Sequence, residues 1–151
     1  MNFRLLGLAF LGLALTGCVQ LAVTPRPAGE LTGARFVTTQ PLNLYGALGH
    51  YPDRTVTSYF VVPFRIANRF HAEIGTVPAE TACEIVDVVD RTALGVPHSR
   101  IYRVRLAPDV AGRLGLKENL VEISNHRLIE QVEGDLPRLR EEFFRRNAAG
   151  P

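Results

Sequence analysis

Arg100-Ile-Tyr-Arg-Val-Arg-Leu106 is the stretch that decides the fold. Its period is two: Tyr102, Val104 and Leu106 take one side, while Arg103 and Arg105 take the other. That is the pattern of a strand with one face on a core and the other in water. Upstream, Cys83 to Val89 and Glu73 to Val77 are further apolar, β-branched runs, and Pro78-Ala79-Glu80-Thr81 between them suits a turn. Val56 to Val62 (VTSYFVV) sets Val56, Ser58, Phe60 and Val62 on one face and Thr57, Tyr59 and Val61 on the other. Leu42 to Tyr45, closed by Gly46 and Gly49, and Arg35 to Thr39 complete the series. Short strands at this spacing predict a mostly β domain of the α+β class over residues 34–126, built as a small β-barrel or two packed sheets.

The period changes after residue 126. Leu128, Ile129, Val132, Leu136, Leu139 and Phe143 recur at helical spacing, with Glu141/Arg145 and Glu142/Arg146 as i,i+4 pairs. Asp135 can cap a helix, and Pro137 is tolerated in its first turn. A C-terminal α-helical segment is therefore expected over 127–147, either one kinked helix or two short ones, with its apolar stripe on the barrel or on a partner protein.

The N-terminus reads as an address. Arg4 precedes an apolar run, Leu5 to Leu15, too short to cross a bilayer comfortably, followed by Leu15-Thr16-Gly17-Cys18. The tetrapeptide resembles the lipobox of bacterial lipoproteins. The resemblance implies a signal peptide over residues 1–17, a lipid on Cys18 with acylation (palmitate or similar) of the new amino terminus, and a membrane anchor. Val19, rather than Asp, follows Cys18, which in that family favours the outer membrane, facing the periplasm, where the cell has two membranes. Several acyl chains at about 0.8 kcal/mol per buried methylene hold a protein firmly. Residues 18–33, with two Pro and two Gly, read as a lipidated tether.

Removing residues 1–17 from the 151 leaves 134, enough for one small core. The leader takes Arg4 with it, so 16 basic side chains stand against 15 acids. So even a balance, outside the cytoplasm, disfavours nucleic acid. Lys117 is the one lysine. With Cys18 lipidated, Cys83 has no intramolecular partner and the domain depends on burial, not disulfides.

Four segments in order resemble a bacterial Src-homology-three-like domain: Phe36-Val-Thr-Thr, Pro41-Leu-Asn-Leu-Tyr, Glu73-Ile-Gly-Thr-Val-Pro-Ala-Glu-Thr-Ala-Cys-Glu-Ile-Val and Ile101-Tyr-Arg-Val-Arg-Leu. Glu80 stands where that family's turn favours Gly, Ile101 where it favours Trp, and residues 50–70 read as an insertion. The resemblance implies a small barrel that binds cell-wall peptides or protein partners and assigns no ligand residue.

Candidate chemistry is sparse. Cys83 is the available nucleophile, with His71 or His98 as a base, but it opens an apolar strand where a free cysteine serves as a small hydrophobe. His50, His71, His98 and His126 lack metal-site spacing, so no metal or cofactor is expected. Asp87 and Asp90 at a strand end suit turns better than acid–base work. Residues 59–71 (YFVVPFRIANRFH) interleave aromatics with arginines, as contact surfaces do, and nominate Tyr59, Phe64, Arg65 and Arg69. Leu139 and Phe143 are nominated as the docking stripe of the C-terminal helix. The expectation is a membrane-anchored binding or structural module of the cell envelope, not an enzyme. The alternatives are a small hydrolase or thiol enzyme using Cys83, and a subunit of an envelope complex docking through the helix.

Overall fold

The computed structural model describes residues 22–25, 31–50, 52, 54–93, 96–130 and 138–147. The leader and Cys18 lie outside them. In chain order the elements are β1 Ala22–Pro25, β2 Arg35–Thr38, β3 Leu42–Leu48, β4 Val56–Val62, β5 His71–Val77, β6 Ala82–Ala93 and β7 Val96–Leu106. Then follow α1 Pro108–Arg113, β8 Leu120–Ile123, β9 Ile129–Glu130, β10 Arg138–Leu139 and β11 Phe144–Arg146. The chain is mostly β. Nine strands form one sheet in the order β11-β2-β6-β7-β8-β4-β3-β5, with β1 also on β6, and β9 and β10 make a two-stranded ribbon.

The β6–β7 hairpin organises the sheet, and its two faces separate as the alternation demands. Ile85 lies opposite Val104 and Val88 opposite Tyr102, all in the core. Glu84 opposes Arg105 and Asp87 opposes Arg103 on the wet side, with charged atoms 3.9 and 3.6 Å apart, and Arg103 reaches Glu122 of β8 at 3.7 Å. These partly exposed pairs contribute little each. They do oppose a one-residue slip, which would turn the apolar set outward.

The expected barrel is not closed. Val77 of β5 and Phe144 of β11, from the two margins of the sheet, share one core, so the sheet curls around it. No ladder joins those margins among the described residues, and β4 meets β8, in parallel, only at Phe60 and Glu122. The turn from β5 to β6 is held by buried Thr38 of β2 instead. The Thr38 hydroxyl donates to the Pro78 carbonyl at 2.8 Å and accepts the Thr81 N–H at 3.0 Å, while the Glu80 N–H reaches the Thr38 carbonyl at 2.7 Å. α1 plugs the core with Val110 and Ala111. A Cβ on Gly75 would lie 2.9 Å from Cδ2 of Leu114, the C-cap of α1, and that side-chain end would have to shift to admit it.

The C-terminal helix is a misreading. Residues 131–137, including Leu136, lie outside the described set, but β10, a single turn and β11 occupy 138–146. The N–H groups of Phe143 and Phe144 both reach the Arg140 carbonyl, at 3.0 Å each, and the chain then extends. Phe144, Arg145 and Arg146 pair with Thr38, Val37 and Phe36, which satisfies the open edge of β2. Backbone pairing with a waiting edge outweighs local helix preference. Arg145 sits 3.0 Å from Glu80 rather than pairing with Glu141. Residues 22–25, inside the segment read as a tether, pair as β1 with Val89–Thr92 of β6.

Candidate functional site

β4 and β5 both run antiparallel to β3, on its two sides: Val62 lies opposite Asn43, and His71 opposite Ala47. The connection, residues 63–70, therefore has to travel the length of β3 across its outer face. We call it the strap. Tyr45, only 1% exposed, accepts the Ile66 N–H on its hydroxyl at 2.8 Å and so pins the strap at mid-span. Beneath it the Tyr45 and Phe60 rings stack at 5.9 Å, and His71 meets the Phe60 ring edge-on at 5.0 Å. The strap's far end is shaped by Asn68, whose Oδ1 accepts the Phe70 N–H and the His71 Nδ1–H, both at 2.9 Å. This Asx turn leaves Phe70 62% exposed.

Cations surround the strap. Arg69 lies over the Phe70 ring at 5.2 Å, Arg127 over Phe64 at 5.0 Å, and Arg54 donates to the Arg69 carbonyl at 3.0 Å. Nη2 of Arg65 donates to both oxygens of Glu73 at 3.1 Å, a contact that raises the Arg65 pKa, chiefly through the hydrogen bond and then through charge attraction.

Of the nominated contact residues, Phe64, Arg65 and Arg69 come together here. Tyr59 does not: it lines a cleft of about 390 Å³ between the diverging ends of β4 and β8, with Arg103, Lys117, Glu118 and Glu122. No histidine or cysteine lines that cleft, and Arg103 is already engaged by Asp87 and Glu122. Leu139 and Phe143, at 6% and 9% exposed, belong to the core and present no docking stripe. Phe70, Arg54 and Arg127 went unnominated. The spacing of Asn68 to Phe70 carried a turn signal, whereas the approach of Arg127 depends on the fold alone.

Cys83 is 4% exposed, and its thiol contacts the Phe36 carbonyl at 3.5 Å. Burial pushes its pKa up to about 12, the reverse of what a nucleophile needs. Asp87 lies inside β6 and not at a strand end; its carboxylate accepts the Val88 N–H at 2.8 Å and faces Arg103 across the ladder. Among the described residues no group of three His, Cys, Asp or Glu side chains converges to hold a metal, and no helix is long and apolar enough to cross a membrane. The side chains of His98 and Asp90 fall outside the description.

No family model, curated protein or solved structure matches this chain.

Proposed function

We propose that this chain is a bacterial lipoprotein whose β domain serves as a binding or structural module at the cell envelope, anchored through Cys18 and facing the periplasm from the outer membrane where there are two membranes. The observation that carries the reading is the order Arg4, apolar Leu5–Leu15, then Leu15-Thr16-Gly17-Cys18. The resemblance to Src-homology-three-like domains supports a binding role, with its motif segments on β3, β5 and β7. The exposed strap of aromatic and arginine side chains supports it independently, because such side chains carry contact energy.

The thiol-enzyme alternative is the weaker one on chemical grounds. A thiol at about 12 and 4% exposed holds almost no thiolate at neutral pH. The complex-subunit alternative would now rest on the strap, since Leu139 and Phe143 are spent on the core.

Mass spectrometry of the protein from native membranes tests the anchor. A diacylated or triacylated Cys18 at the mature N-terminus is expected, and Cys18→Ser should leave the leader uncut. A bare Cys18 with residues 1–17 attached overturns the reading.

A further inference from the structure

Around the strap a protruding ring and several guanidiniums share one surface. Phe70 is the exposed large hydrophobic side chain of the described residues. Arg54, Arg65, Arg69 and Arg127, all exposed, stand around the strap, with Glu73 paired to Arg65 alone. The arrangement is preformed: Asn68 fixes the Phe70 turn, Tyr45 pins Ile66, and Arg54 ties down the Arg69 carbonyl. Bonds that hold the strap in one arrangement reduce the ordering left to be done on docking.

We propose that the strap is a membrane-contact surface that seats on anionic phospholipid headgroups, with the arginines on phosphates and Phe70 in the headgroup–acyl boundary. Guanidiniums suit phosphate oxygens because they fork onto them, and an aromatic ring suits the interface because it is buried there without leaving a polar group unpaired. Proximity comes from the anchor reading, on which this proposal rests for that point only. Three residues, 19–21, lie between Cys18 and Ala22, the first residue of β1, so four Cα–Cα steps join them. Even fully extended at about 3.5 Å each, they hold β1 within roughly 14 Å of the lipidated residue. A domain leashed that closely must turn some surface to the bilayer, and the cationic one with a protruding ring is the complement of a negative surface.

The test uses residues 19–151, which carry neither lipid nor leader. Every buried residue described lies between Thr38 and Phe144, so this truncation removes none of the core. Co-sedimentation is measured with vesicles of phosphatidylcholine alone and of phosphatidylcholine with phosphatidylglycerol. Binding is expected only to the phosphatidylglycerol vesicles, and it should weaken as salt shortens the Debye length to about 8 Å at physiological ionic strength. Arg69→Ala and Arg127→Ala should each lower partitioning about fivefold, the equivalent of about 1 kcal/mol per basic residue near such a surface. Phe70→Ser should also weaken it, with circular dichroism unchanged, while Arg113→Ala on α1 should leave it intact.

Equal binding to both vesicle types, or an Arg113→Ala loss as large as the strap variants', overturns the proposal. Absence of binding overturns it too, and leaves an acidic protein segment as the occupant to pursue. The two readings fail separately. A bare Cys18 with vesicle binding intact removes the anchor and keeps the strap, whereas a lipidated Cys18 without vesicle binding does the opposite.

Discussion

Leu44 and Tyr45 are neighbours on β3 and are equally hidden, at 0% and 1% exposed, yet they are buried by different means. Leu44 points into the main core, where side chains from β3 to β8 and the C-terminal segment converge. Tyr45 points the other way, into a thin layer with Phe60 that is roofed by the strap and tied to it by one hydrogen bond. Burial alone therefore does not measure what a residue holds together. Removing the first side chain opens a cavity in the core that β3 to β8 share; loosening the second frees a loop that the rest of the sheet does not need. Local opening at low cost belongs where contacts are few and backbone bonds are exposed.

The largest expected effect tests the main core. Leu44→Ala should cost about 2–5 kcal/mol and lower the single cooperative denaturation midpoint of the whole domain. A loss under about 1 kcal/mol would mean that the two sides of β3 are alike. Cys83, on the same side, gives a pH signature. Its folded pKa is raised, to about 12, above its ordinary 9.0, so the folded state binds its proton more tightly than the unfolded chain does. Its stabilising contribution is then complete below pH 9.0 and is lost as pH rises toward 12. The slope is about 1.4 kcal/mol per pH unit. Urea titrations at pH 8 and pH 10.5 should show this loss in the parent and not in Cys83→Ala, once that variant's packing cost is subtracted. A native thiol that reacts promptly with an aromatic disulfide reagent at pH 8 would contradict the burial.

Tyr45→Phe addresses the strap side. It keeps the ring stack on Phe60 and deletes only the acceptor for the Ile66 N–H, so global stability should fall by about 1 kcal/mol. Hydrogen exchange should quicken in residues 64–70 while β6 and β7 stay protected. If exchange quickens everywhere, the strap layer is part of the main cooperative unit and the contrast with Leu44 fails.

How much of this was legible depended on the range of the forces involved. Strand positions from Arg35 to Leu106, the Tyr102–Leu106 faces and the Pro78–Thr81 turn follow from alternation and turn chemistry, which are local. Alternation fails at Arg100 and Ile101, which are both buried, and β3 runs through Gly46 to Leu48 instead of closing there. α1 had local signals that were passed over, with Pro108 at its first position, Asp109 in its first turn and Arg113 in its last. β8 is only Leu-Val-Glu-Ile, too short for its period to stand out. The C-terminal segment misled because its apolar spacing fits a helix, while its structure is set by the unpaired edge of β2, fixed a hundred residues earlier. The strap was legible as composition and not as a place: only the β4-β3-β5 strand order sends residues 63–70 over β3 and brings Arg54 and Arg127 to them.

The smallest effect lies at the turn where the main core changes strand. Glu80 has φ +59°, a left-handed conformation that costs a residue with a Cβ about 1–2 kcal/mol. Glycine removes that cost but adds about 0.5–1 kcal/mol of unfolded-chain entropy. It also loses the Arg145 ion pair, about two-thirds exposed on each side and worth roughly 0–1 kcal/mol. The terms nearly cancel, so Glu80→Gly should stay within about 0.5 kcal/mol of the parent by urea denaturation. Glu80→Val has no such relief, because branching at Cβ aggravates the left-handed clash while the ion pair is lost all the same. It should cost at least about 1 kcal/mol. Were Val as well tolerated as Gly, the bonds to Thr38 would not be holding this turn, and the main core would prove as locally yielding at its margin as the strap is over β3.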